Sequence, residues 1–451
     1  MKIASPLVSV ISAPEYGSTV LSRPSLLFLN RSYWPDAEAT GQLLTELCED
    51  LLDSFDVAVI AGQPNQNPEA VDFQRSGWQV HNGVRIRRVR HSRWAKSSFI
   101  GRATNYLSFL FAATVAAFRV PRADIIIAET DPPLLCLLAA VLRRWHRAKL
   151  VIYLQDIYPD LAVALGKLPS NWMTKLLRRV MFRVYKRADC VVVLSRDMQE
   201  LLEASGVSSD RIRCVPNWID TTLVFPDKVD NDFRREQSVN EKFVVMYSGN
   251  LGLCQRLGDV IEAADLLRDR HEIVFLLVGE GASRRDLILD VERRKLTNVR
   301  FLPYQAKSRL STSISAADLH LVPLDPRVTP YLMPSKLYGV LASGTPVLAV
   351  AESECDLSQI VRDTQSGVVC PPGSPQLLAD AILECAADRG MLLEMGGRAR
   401  RLAEDVYDRP IATCRFAGVL AELVGIPASK AETVDSEPVL SQAELLPAGC
   451  L

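Results

Sequence analysis

Short apolar runs alternate with amphipathic segments along most of the chain. Runs of this kind are typical of parallel strands that are buried on both faces, and the segments between them have helical periodicity. The runs fall into two series, 25–30, 56–61, 124–128, 150–154 and 190–194 in the first and 243–247, 273–278, 299–302, 319–322 and 347–350 in the second. Two such series in tandem predict an α/β fold of two doubly wound, Rossmann-like domains, with ligands at the carboxyl ends of the strands.

The stretches outside these runs predict the domain limits. The first residues contain only a short apolar run broken by prolines, which indicates a flexible extension rather than a secretory signal. The polar stretch before Phe243 indicates a hinge, and the polar end of the chain predicts disorder. The expected limits are 1–24 for the extension, 25–220 for the acceptor-side domain, 221–241 for the hinge, 242–404 for the donor domain, 405–426 for a C-terminal helix that returns to the first domain, and 427–451 for the disordered tail.

Composition narrows the classes of function. The 451 residues carry a net charge of -1, so the overall charge does not favour binding to nucleic acid. The ten cysteines are scattered without a C-x-x-C pair, which predicts buried thiols in a reducing cytoplasm. The five histidines lack the spacing of metal ligands, and Asp230-Asn-Asp232 lies in the polar hinge rather than after a buried strand. We therefore expect neither a metal ion nor another cofactor, and we interpret His320, inside an apolar strand, as a hydrogen-bonded core residue.

Two cationic stretches predict contact with a membrane surface. Residues 85–96 combine arginines with Trp94, and residues 175–187 place cations between apolar residues at helical spacing. Such segments can lie on anionic bilayers, whereas the alternative for each is the solvated face of a helix packed on the core. The longest apolar stretch, 103–118, contains Asn105 and indicates a buried or interfacial helix rather than a membrane span. We expect a cytoplasmic protein that binds peripherally to the inner face of the plasma membrane.

The most informative stretch, 333–350, predicts a short apolar helix followed by a buried strand. Pro334 prevents the helix from beginning earlier, and Ser335 is a preferred N-cap residue. The first amides of the helix, at 335–337, have no acceptor within the helix, and Lys336 adds a positive charge beside them. Together they predict a site for a phosphate or diphosphate. The alternative is an ordinary turn that only connects a helix to a strand.

Two glycine turns in the second domain indicate the same ligand. Strand 243–247 ends in Ser248-Gly-Asn-Leu-Gly252, with Arg256 shortly after it, and strand 273–278 ends in a turn from Gly279 to Arg284. Glycine lets the backbone approach a ligand closely, and each turn places a cation near the start of a helix. We expect both turns and the helix at Lys336 to surround one crevice and share one diphosphate. The alternative is three unrelated tight turns.

Taken in order, these segments resemble glycosyltransferase family 4, which has the GT-B architecture of two Rossmann-like domains facing a cleft. They are most similar to bacterial enzymes of the colanic-acid and aminofucosyl-transfer type, and the resemblance covers most of residues 25–425. The motifs that carry it in the first domain are Tyr33-Trp-Pro-Asp36, Ala39-Thr-Gly-Gln42, Gln155-Asp-Ile-Tyr-Pro-Asp160 and Val215-Pro-Asn-Trp-Ile-Asp220. Those in the second are Tyr247-Ser-Gly-Asn-Leu-Gly252, Gly279-Glu-Gly281, Phe301-Leu-Pro-Tyr304, Met333-Pro-Ser-Lys-Leu-Tyr-Gly339 and Leu341-Ala-Ser-Gly344.

The resemblance implies a nucleotide-sugar donor on the second domain and an acceptor facing the first. The donor-site residues that it implies are Gly249, Asn250, Gly252, Gly279, Gly281, Arg284, Pro303, Tyr304, Ser335, Lys336 and Leu337. Among them, the amides of 335–337 face the diphosphate with Arg284 as a charge partner, and 303–304 line the nucleobase slot. Gly41 and Gln42 lie where the glycine loop of the family faces the transferred sugar.

Asp156 is the candidate catalytic residue. It stands at the position where many relatives carry a histidine, directly beyond an apolar strand. A carboxylate at the end of such a strand can face a cleft and accept the proton of an acceptor hydroxyl. The alternatives are that Asp156 caps the next helix, or that Asp160 in the same turn is the base.

One departure from the family concerns the ribose of the donor. Most relatives have two glutamates around the helix at Lys336, at the positions of Tyr331 and Gly339 in this sequence, and the second usually binds the ribose hydroxyls. Glu352 or Glu354, in the next loop, is the candidate replacement.

The sequence therefore predicts a metal-independent hexosyltransferase that moves a sugar from a nucleoside-diphosphate donor to a hydroxyl acceptor. The resemblance implies retention of the anomeric configuration, and an acceptor that is a lipid-linked saccharide in exopolysaccharide or O-antigen synthesis. One rival is a nucleotide-sugar epimerase of the same architecture, which would need a second acid–base group beside Asp156. The other is a non-catalytic nucleotide-sugar-binding subunit, which the missing glutamates suggest.

Overall fold

A computed structural model describes residues 23–36, 38–64, 76–92, 94 and 99–426. Residues 1–22 of the predicted extension and all of the predicted tail lie outside the described residues. By its internal contacts the chain forms two compact units. Among the described residues, the first unit takes 23–153, 187–190 and 420–426, and the second takes 154–186 and 191–419.

The first sheet has eight strands in the order β3-β4-β2-β1-β5-β6-β7-β8. The strands are β1 (Ser25–Leu29), β2 (Asp56–Ala61), β3 (Gly77–His81), β4 (Val84–Arg88), β5 (Ile125–Ala128), β6 (Lys149–Tyr153), β7 (Cys190–Val193) and β8 (Ile212–Cys214). Strand β1 pairs in parallel with both β2 and β5, so the strand order reverses direction beside it. The helices that accompany this sheet are α1 (Ala39–Asp50), α2 (Phe99–Ala117), α3 (Leu135–His146), α4 (Asp160–Ala164), α5 (Trp172–Tyr185) and α6 (Arg196–Ala204).

The second sheet has six strands in the order β11-β10-β9-β12-β13-β14, and all of its pairs are parallel. The strands are β9 (Phe243–Ser248), β10 (Ile273–Val278), β11 (Val299–Leu302), β12 (Leu319–Pro323), β13 (Val347–Val350) and β14 (Gly367–Cys370). The helices are α7 (Asp232–Glu236), α8 (Leu257–Leu266), α9 (Arg284–Arg294), α10 (Leu310–Ser315), α11 (Lys336–Ala342), α12 (Asp356–Asp363), α13 (Pro375–Ala387), α14 (Arg389–Val406) and α15 (Arg409–Val424).

Apolar cores cover both faces of this second sheet. In β9, Val245 and Tyr247 belong to one core cluster, and Val244 and Met246 belong to the cluster on the other face. Successive side chains of a strand point to opposite faces, so a strand covered on both sides must be apolar at every position. The continuous apolar runs in the sequence therefore have a direct physical cause. The prediction of two α/β domains with doubly wound sheets is confirmed.

The first cationic stretch begins in the sheet. Residues Arg85, Arg87 and Arg88 belong to β4, which pairs with β2 in parallel and with β3 in an antiparallel ladder. Arg88 is fully buried and donates to the carbonyl oxygen of Gly62 at 2.9 Å. The interpretation of 85–96 as a membrane-facing segment is therefore wrong for β4, because its alternate residues point into the core. Of the rest of this stretch, 93 and 95–96 lie outside the described residues.

The second compact unit begins at Leu154, well before the predicted hinge. Two contacts join residues that follow Leu154 to later residues of the same unit. The amide of Ile157 donates to the carbonyl oxygen of Tyr331 at 2.9 Å, and the guanidinium of Arg196 pairs with Asp356 at 2.9 Å. Segments that precede the hinge in sequence thus pack with residues that follow it. The predicted limits of the domains themselves stay predictions. Within the described part of the chain, no helix is long and apolar enough to cross a membrane.

Arg400 on α14 holds separate backbone segments of the second unit together. Its guanidinium donates to the carbonyl oxygens of Thr221 at 3.0 Å and Val224 at 2.8 Å. A further hydrogen bond of 2.7 Å reaches the carbonyl oxygen of Ala342, the last residue of α11. The last carbonyl oxygens of a helix accept no hydrogen bond from amides of the same helix. Arg400 supplies the donor for one of them.

Replacing Arg400 with methionine should destabilise the second unit by about 3 kcal/mol. Hydrogen bonds from a charged donor contribute about 1.5–3 kcal/mol, and the carbonyls would lose their partner. Urea denaturation followed by intrinsic fluorescence measures the change. The exposed neighbour Arg401 offers a matched control, since Arg401→Met should change the free energy of unfolding by less than about 0.5 kcal/mol. Equal effects of the two substitutions would contradict the assigned role of Arg400.

Candidate functional site

The turns that follow β9 and β10 are hydrogen-bonded to each other. The amide of Leu251 donates to the carbonyl oxygen of Glu280 at 2.8 Å, and the amide of Ser283 donates back to Leu251 at 2.9 Å. Within the first turn, the buried Tyr247 hydroxyl donates to the carbonyl oxygen of Asn250 at 2.6 Å. Strands β9 and β10 are parallel neighbours, so their carboxyl ends meet at one edge of the sheet. The two predicted glycine turns therefore form one structure.

The glycines allow the two turns to touch. A Cβ atom at Gly279 would overlap the carbonyl oxygen of Gly249, and one at Gly281 would overlap that of Leu251. Gly249 and Gly279 also have positive φ angles of 146° and 138°. We expected the glycines to admit a ligand to the backbone, whereas what approaches closely in the structure is the neighbouring turn.

Three backbone amides of the predicted glycine turns are already used by the protein. The amide of Gly249 donates to Val278 at 2.9 Å and that of Gly279 to Leu302 at 2.8 Å. The amide of Gly252 donates to the side chain of Gln255 at 3.1 Å. These amides stabilise the turns, so a ligand at this edge would depend on other donors.

Lys336, the first residue of α11, lies against the first turn. Its ammonium nitrogen is 5.2 Å from the centroid of the Tyr247 ring, and its Cε atom is 3.0 Å from the Cβ position of Gly249. Burial lowers the pKa of Lys336 to about 8, and the nearby Cys254 thiol opposes the shift. The lysine is half-buried and, among the described residues, forms no ion pair. An anionic ligand would favour the charged form of this lysine and raise its pKa.

The start of α11 differs from the expected cap. Ser335 precedes the helix with helical angles (φ -58°, ψ -21°), and its hydroxyl makes no capping hydrogen bond. The expected side-chain cap is therefore wrong, because the carbonyl oxygen of Pro334 instead accepts from the Leu337 amide at 3.1 Å. In the described part of the chain, the amides of Ser335 and Lys336 have no backbone acceptor. These two amides, with the Lys336 ammonium, are the donors left at this end of α11.

Asp156 lies beside the segment that leads into α11. Its backbone forms an isolated antiparallel bridge with Leu332. Burial and then the Asp156 carboxylate raise the pKa of the Cys254 thiol, while the charges of Lys167 and Lys336 oppose this shift. Asp156 and Lys336 therefore lie within electrostatic reach of the same thiol, beside the turn after β9. A carboxylate and an ammonium, predicted from separate motifs, thus both act on this thiol.

The two alternatives for this turn do not fit the structure. Helix α4 begins at Asp160 with Pro159 in the cap position, so Asp156 caps no helix. Asp160 is mostly buried and pairs with Arg178, with 2.6 Å between the carboxylate and guanidinium atoms. That carboxylate is held by the Arg178 guanidinium, which does not favour Asp160 as the base.

Of the remaining donor candidates, Tyr304 lies closest to the turns. Its hydroxyl donates to the carbonyl oxygen of Glu280 at 3.4 Å, and its ring lies 3.4 Å from the Cβ position of Gly279. Pro303 is exposed beside it. Arg284 begins α9 and pairs with Glu280 at 3.5 Å. The structure thus groups these residues around the second turn.

Glu354 stays a predicted ribose ligand. It is exposed in the loop after β13, and within the described residues its carboxylate forms no hydrogen bond or ion pair. Gly41 and Gln42 belong to α1 of the first unit. Gly41 is buried against the turn after β1, where its Cβ position is 2.7 Å from the Ser32 hydroxyl oxygen. Like the glycines of the second unit, Gly41 permits a close approach within the protein.

Sequence reasoning missed the contribution of the loop after β12. The amide of Asp325 donates to the carbonyl oxygen of Cys254 at 2.8 Å, which ties this loop to the turn after β9. Burial alone would raise the pKa of Asp325, but hydrogen bonds from the Arg327 side chain and amide lower it. The sequence contains a signal for this loop, since Asp325 follows an apolar strand just as Asp156 does.

The expectation for His320 holds only in part. Its Nδ1 atom lies 3.1 Å from the carbonyl oxygen of Leu321, but its Nε2 atom has no partner in the described part of the chain. Burial lowers the pKa of His320 to about 3, so the ring is neutral. No group of three or more His, Cys, Asp or Glu residues among those described is arranged to hold a metal ion.

Two family models match consecutive parts of the chain. A glycosyl transferase 4-like domain matches residues 39–218, and a glycosyl transferases group 1 domain matches residues 228–402. Among similar proteins is a probable glycosyltransferase, WbjE, of Pseudomonas aeruginosa, which is 29% identical over 72% of this chain and 80% of its own length. Another is a putative colanic acid biosynthesis glycosyl transferase, WcaI, of Escherichia coli K12, which is 29% identical over 60% of this chain and 67% of its own length.

Solved structures share the fold. The Anabaena protein Alr3699/HepE, crystallised with UDP and glucose, has a TM-score of 0.69 at 18% identity and covers 88% of this chain and 100% of its own. Sucrose-phosphate synthase of Thermosynechococcus elongatus has a TM-score of 0.72 at 19% identity and covers 89% of this chain and 100% of its own. Since the two family models together span most of the sequence, in order, and the fold is shared with these enzymes, the chain belongs to glycosyltransferase family 4 and has its GT-B architecture.

Proposed function

We propose that this glycosyltransferase moves a hexosyl group from a nucleoside-diphosphate sugar to a hydroxyl of a lipid-linked saccharide, in exopolysaccharide or O-antigen synthesis. The observation that carries the proposal is that the backbone of Asp156 pairs with Leu332, in the segment that leads into α11, and that Asp156 and Lys336 both act on the pKa of the Cys254 thiol. A base that takes the acceptor proton and a cation that stabilises the leaving diphosphate are groups that such a transfer can use. Two similar proteins support this class of donor and product: one is a putative colanic acid biosynthesis glycosyl transferase, and the other was crystallised with UDP and glucose.

In this proposal Lys336 holds the diphosphate of the donor. The amides of Ser335 and Lys336 would donate to the same phosphate oxygens, since they lack acceptors in the described part of the chain. Tyr304 and Pro303 would border the nucleobase, and Arg284 would add positive charge at the rim. Hydrogen-bond donors and cations arranged in advance stabilise a leaving diphosphate without a metal ion.

Asp156 acts as the general base. The bond between the anomeric carbon and the diphosphate oxygen breaks, the acceptor oxygen bonds to the anomeric carbon, and the acceptor proton passes to Asp156. Family membership favours retention of the anomeric configuration. The acceptor would face Gly41 and Gln42 of the first unit, and its lipid would require the protein to work at the membrane as a peripheral protein.

Donor affinity should depend on pH through Lys336. Burial lowers the pKa of this lysine to about 8, so the free protein loses the charge as the pH rises through that value. A bound diphosphate favours the charged form and raises the pKa in the complex. Affinity should therefore stay constant near neutral pH and fall by up to about tenfold per pH unit above pH 8. Calorimetric titration with UDP-, GDP- and ADP-sugars first finds the donor and then measures this decline.

Two substitutions of Lys336 separate the effect of its charge on donor affinity from the effect of its titration. Lys336→Met should weaken donor binding and remove the pH dependence, because no ammonium is left. Lys336→Arg should keep most of the affinity while losing the decline above pH 8, since arginine stays charged. An affinity of the native protein that does not change with pH, or an unaltered affinity of Lys336→Met, would contradict the assignment of the diphosphate to this residue.

Asp156→Asn should lower turnover by about a hundredfold to ten-thousandfold while donor affinity stays within a few-fold, as expected for loss of a general base. Release of nucleoside diphosphate in the presence of acceptor measures turnover. Asp160→Asn is the matched control: it should lower stability through the lost Arg178 pair and retain most of the turnover. Native turnover by Asp156→Asn would exclude the proposed base, and binding without any release by the native protein would favour a non-catalytic subunit.

A further inference from the structure

Helix α2 of the first unit presents an apolar face to solvent. Its inner face buries Phe109 and Ala113, as expected for a helix packed on a core. Its outer face carries Leu107, Phe111 and Val115, spaced four residues apart and therefore aligned along the helix. Phe111 is 74% exposed. A helix that is apolar on both faces normally has a partner for each of them.

The apolar face continues beyond the C-terminal end of α2. Phe118, just after the helix, contacts Trp145 of α3 edge to face at 5.2 Å between ring centroids. We call the whole band the α2–α3 surface, and its exposed residues are Leu107, Phe111, Val115, Phe118, Val141 and Trp145.

Exposed cations border this surface. Arg119, Arg122, Arg144 and Arg147 lie after α2 and at the end of α3, and among the described residues none of the four pairs with a carboxylate. Neither α2 nor α3 contains an aspartate or a glutamate. The surface therefore joins an apolar band to unneutralised positive charge, which makes it complementary to an apolar layer edged with anions.

We propose that the α2–α3 surface binds an anionic lipid bilayer. Tryptophan and phenylalanine side chains enter the boundary between headgroups and acyl chains, and arginines pair with lipid phosphates while their stems cover apolar surface. The inference rests on the proposed function, because a lipid-linked acceptor lies in a membrane. The surface lies outside the two cationic stretches that the sequence suggested: 85–88 form a strand, and α5 buries Met181, Phe182 and Tyr185.

Sedimentation of the full chain with vesicles tests this surface without donor or acceptor. The protein should bind vesicles of phosphatidylglycerol and phosphatidylcholine, bind phosphatidylcholine alone far less, and dissociate as salt is raised. Phe111→Glu should lower the partition coefficient at least about tenfold, since it removes an inserted ring and adds a repelled charge. Leu393→Glu on α14 is the matched control, because Leu393 is equally exposed at 73%, and it should bind as the native chain does.

A second pair of variants tests the charges. Replacing Arg119, Arg122 and Arg144 with glutamine should weaken binding to anionic vesicles by about fivefold for each arginine. The same number of glutamines at the exposed Arg285, Arg389 and Arg401 of the second unit should have little effect. Equal losses of vesicle binding in both triple variants would mean that net charge alone drives the interaction. That result would overturn the proposed surface.

Two further results would also overturn it. One is equal vesicle binding by Phe111→Glu and Leu393→Glu. The other is a dimer that Phe111→Glu dissociates while vesicle binding is unchanged, which would assign the surface to a second copy of the chain. Release of nucleoside diphosphate in detergent tests the proposed function separately, and Phe111→Glu should retain it. Vesicle binding without release would contradict the proposed function alone, and release without vesicle binding would contradict the surface alone.

Discussion

The backbone contact between the turns after β9 and β10 is the constraint on which the candidate site depends. Parallel pairing brings both turns to one edge of the sheet, and the contact between Gly249 and Gly279 leaves no room for a side chain. The hydrogen bonds of Leu251 with Glu280 and Ser283 then fix one turn on the other. Lys336 lies directly against Gly249, so the position of its ammonium follows from this packing.

Burial at this edge has different consequences for groups of opposite charge. It lowers the pKa of Lys336, which has no carboxylate paired with it in the described part of the chain. Asp325 is more deeply buried, yet its pKa is lowered because Arg327 donates to it from both side chain and backbone. At this edge the Asp325 carboxylate is therefore already satisfied, whereas the charge of Lys336 is costly until an anion arrives. This asymmetry suits a site for an anionic substrate.

The sequence predicted most strands of the two sheets, because strands buried on both faces must be apolar throughout. It missed β3, β4, β8 and β14; in β3 and β4 the mixed polar composition reflects a sheet edge and a buried arginine, Arg88. Asp156 and Lys336 could be singled out from strand ends and a helix start. Their shared neighbour Cys254 could not, since contacts between distant segments leave no local pattern. The glycine turns were located correctly, but the reason for glycine was packing between turns.

Helix α11 has almost no freedom to adapt. Every residue from Leu337 to Ala342 is buried in this seven-residue helix, and Arg400 secures its last carbonyl. Substitutions there would disturb the core before they could alter selectivity. By contrast, Pro303 and Tyr304 and the loop 352–354 are exposed at the ends of their strands. Under the proposed function, efforts to engineer a new nucleobase preference should therefore diversify the loop at 303–304 and leave α11 intact.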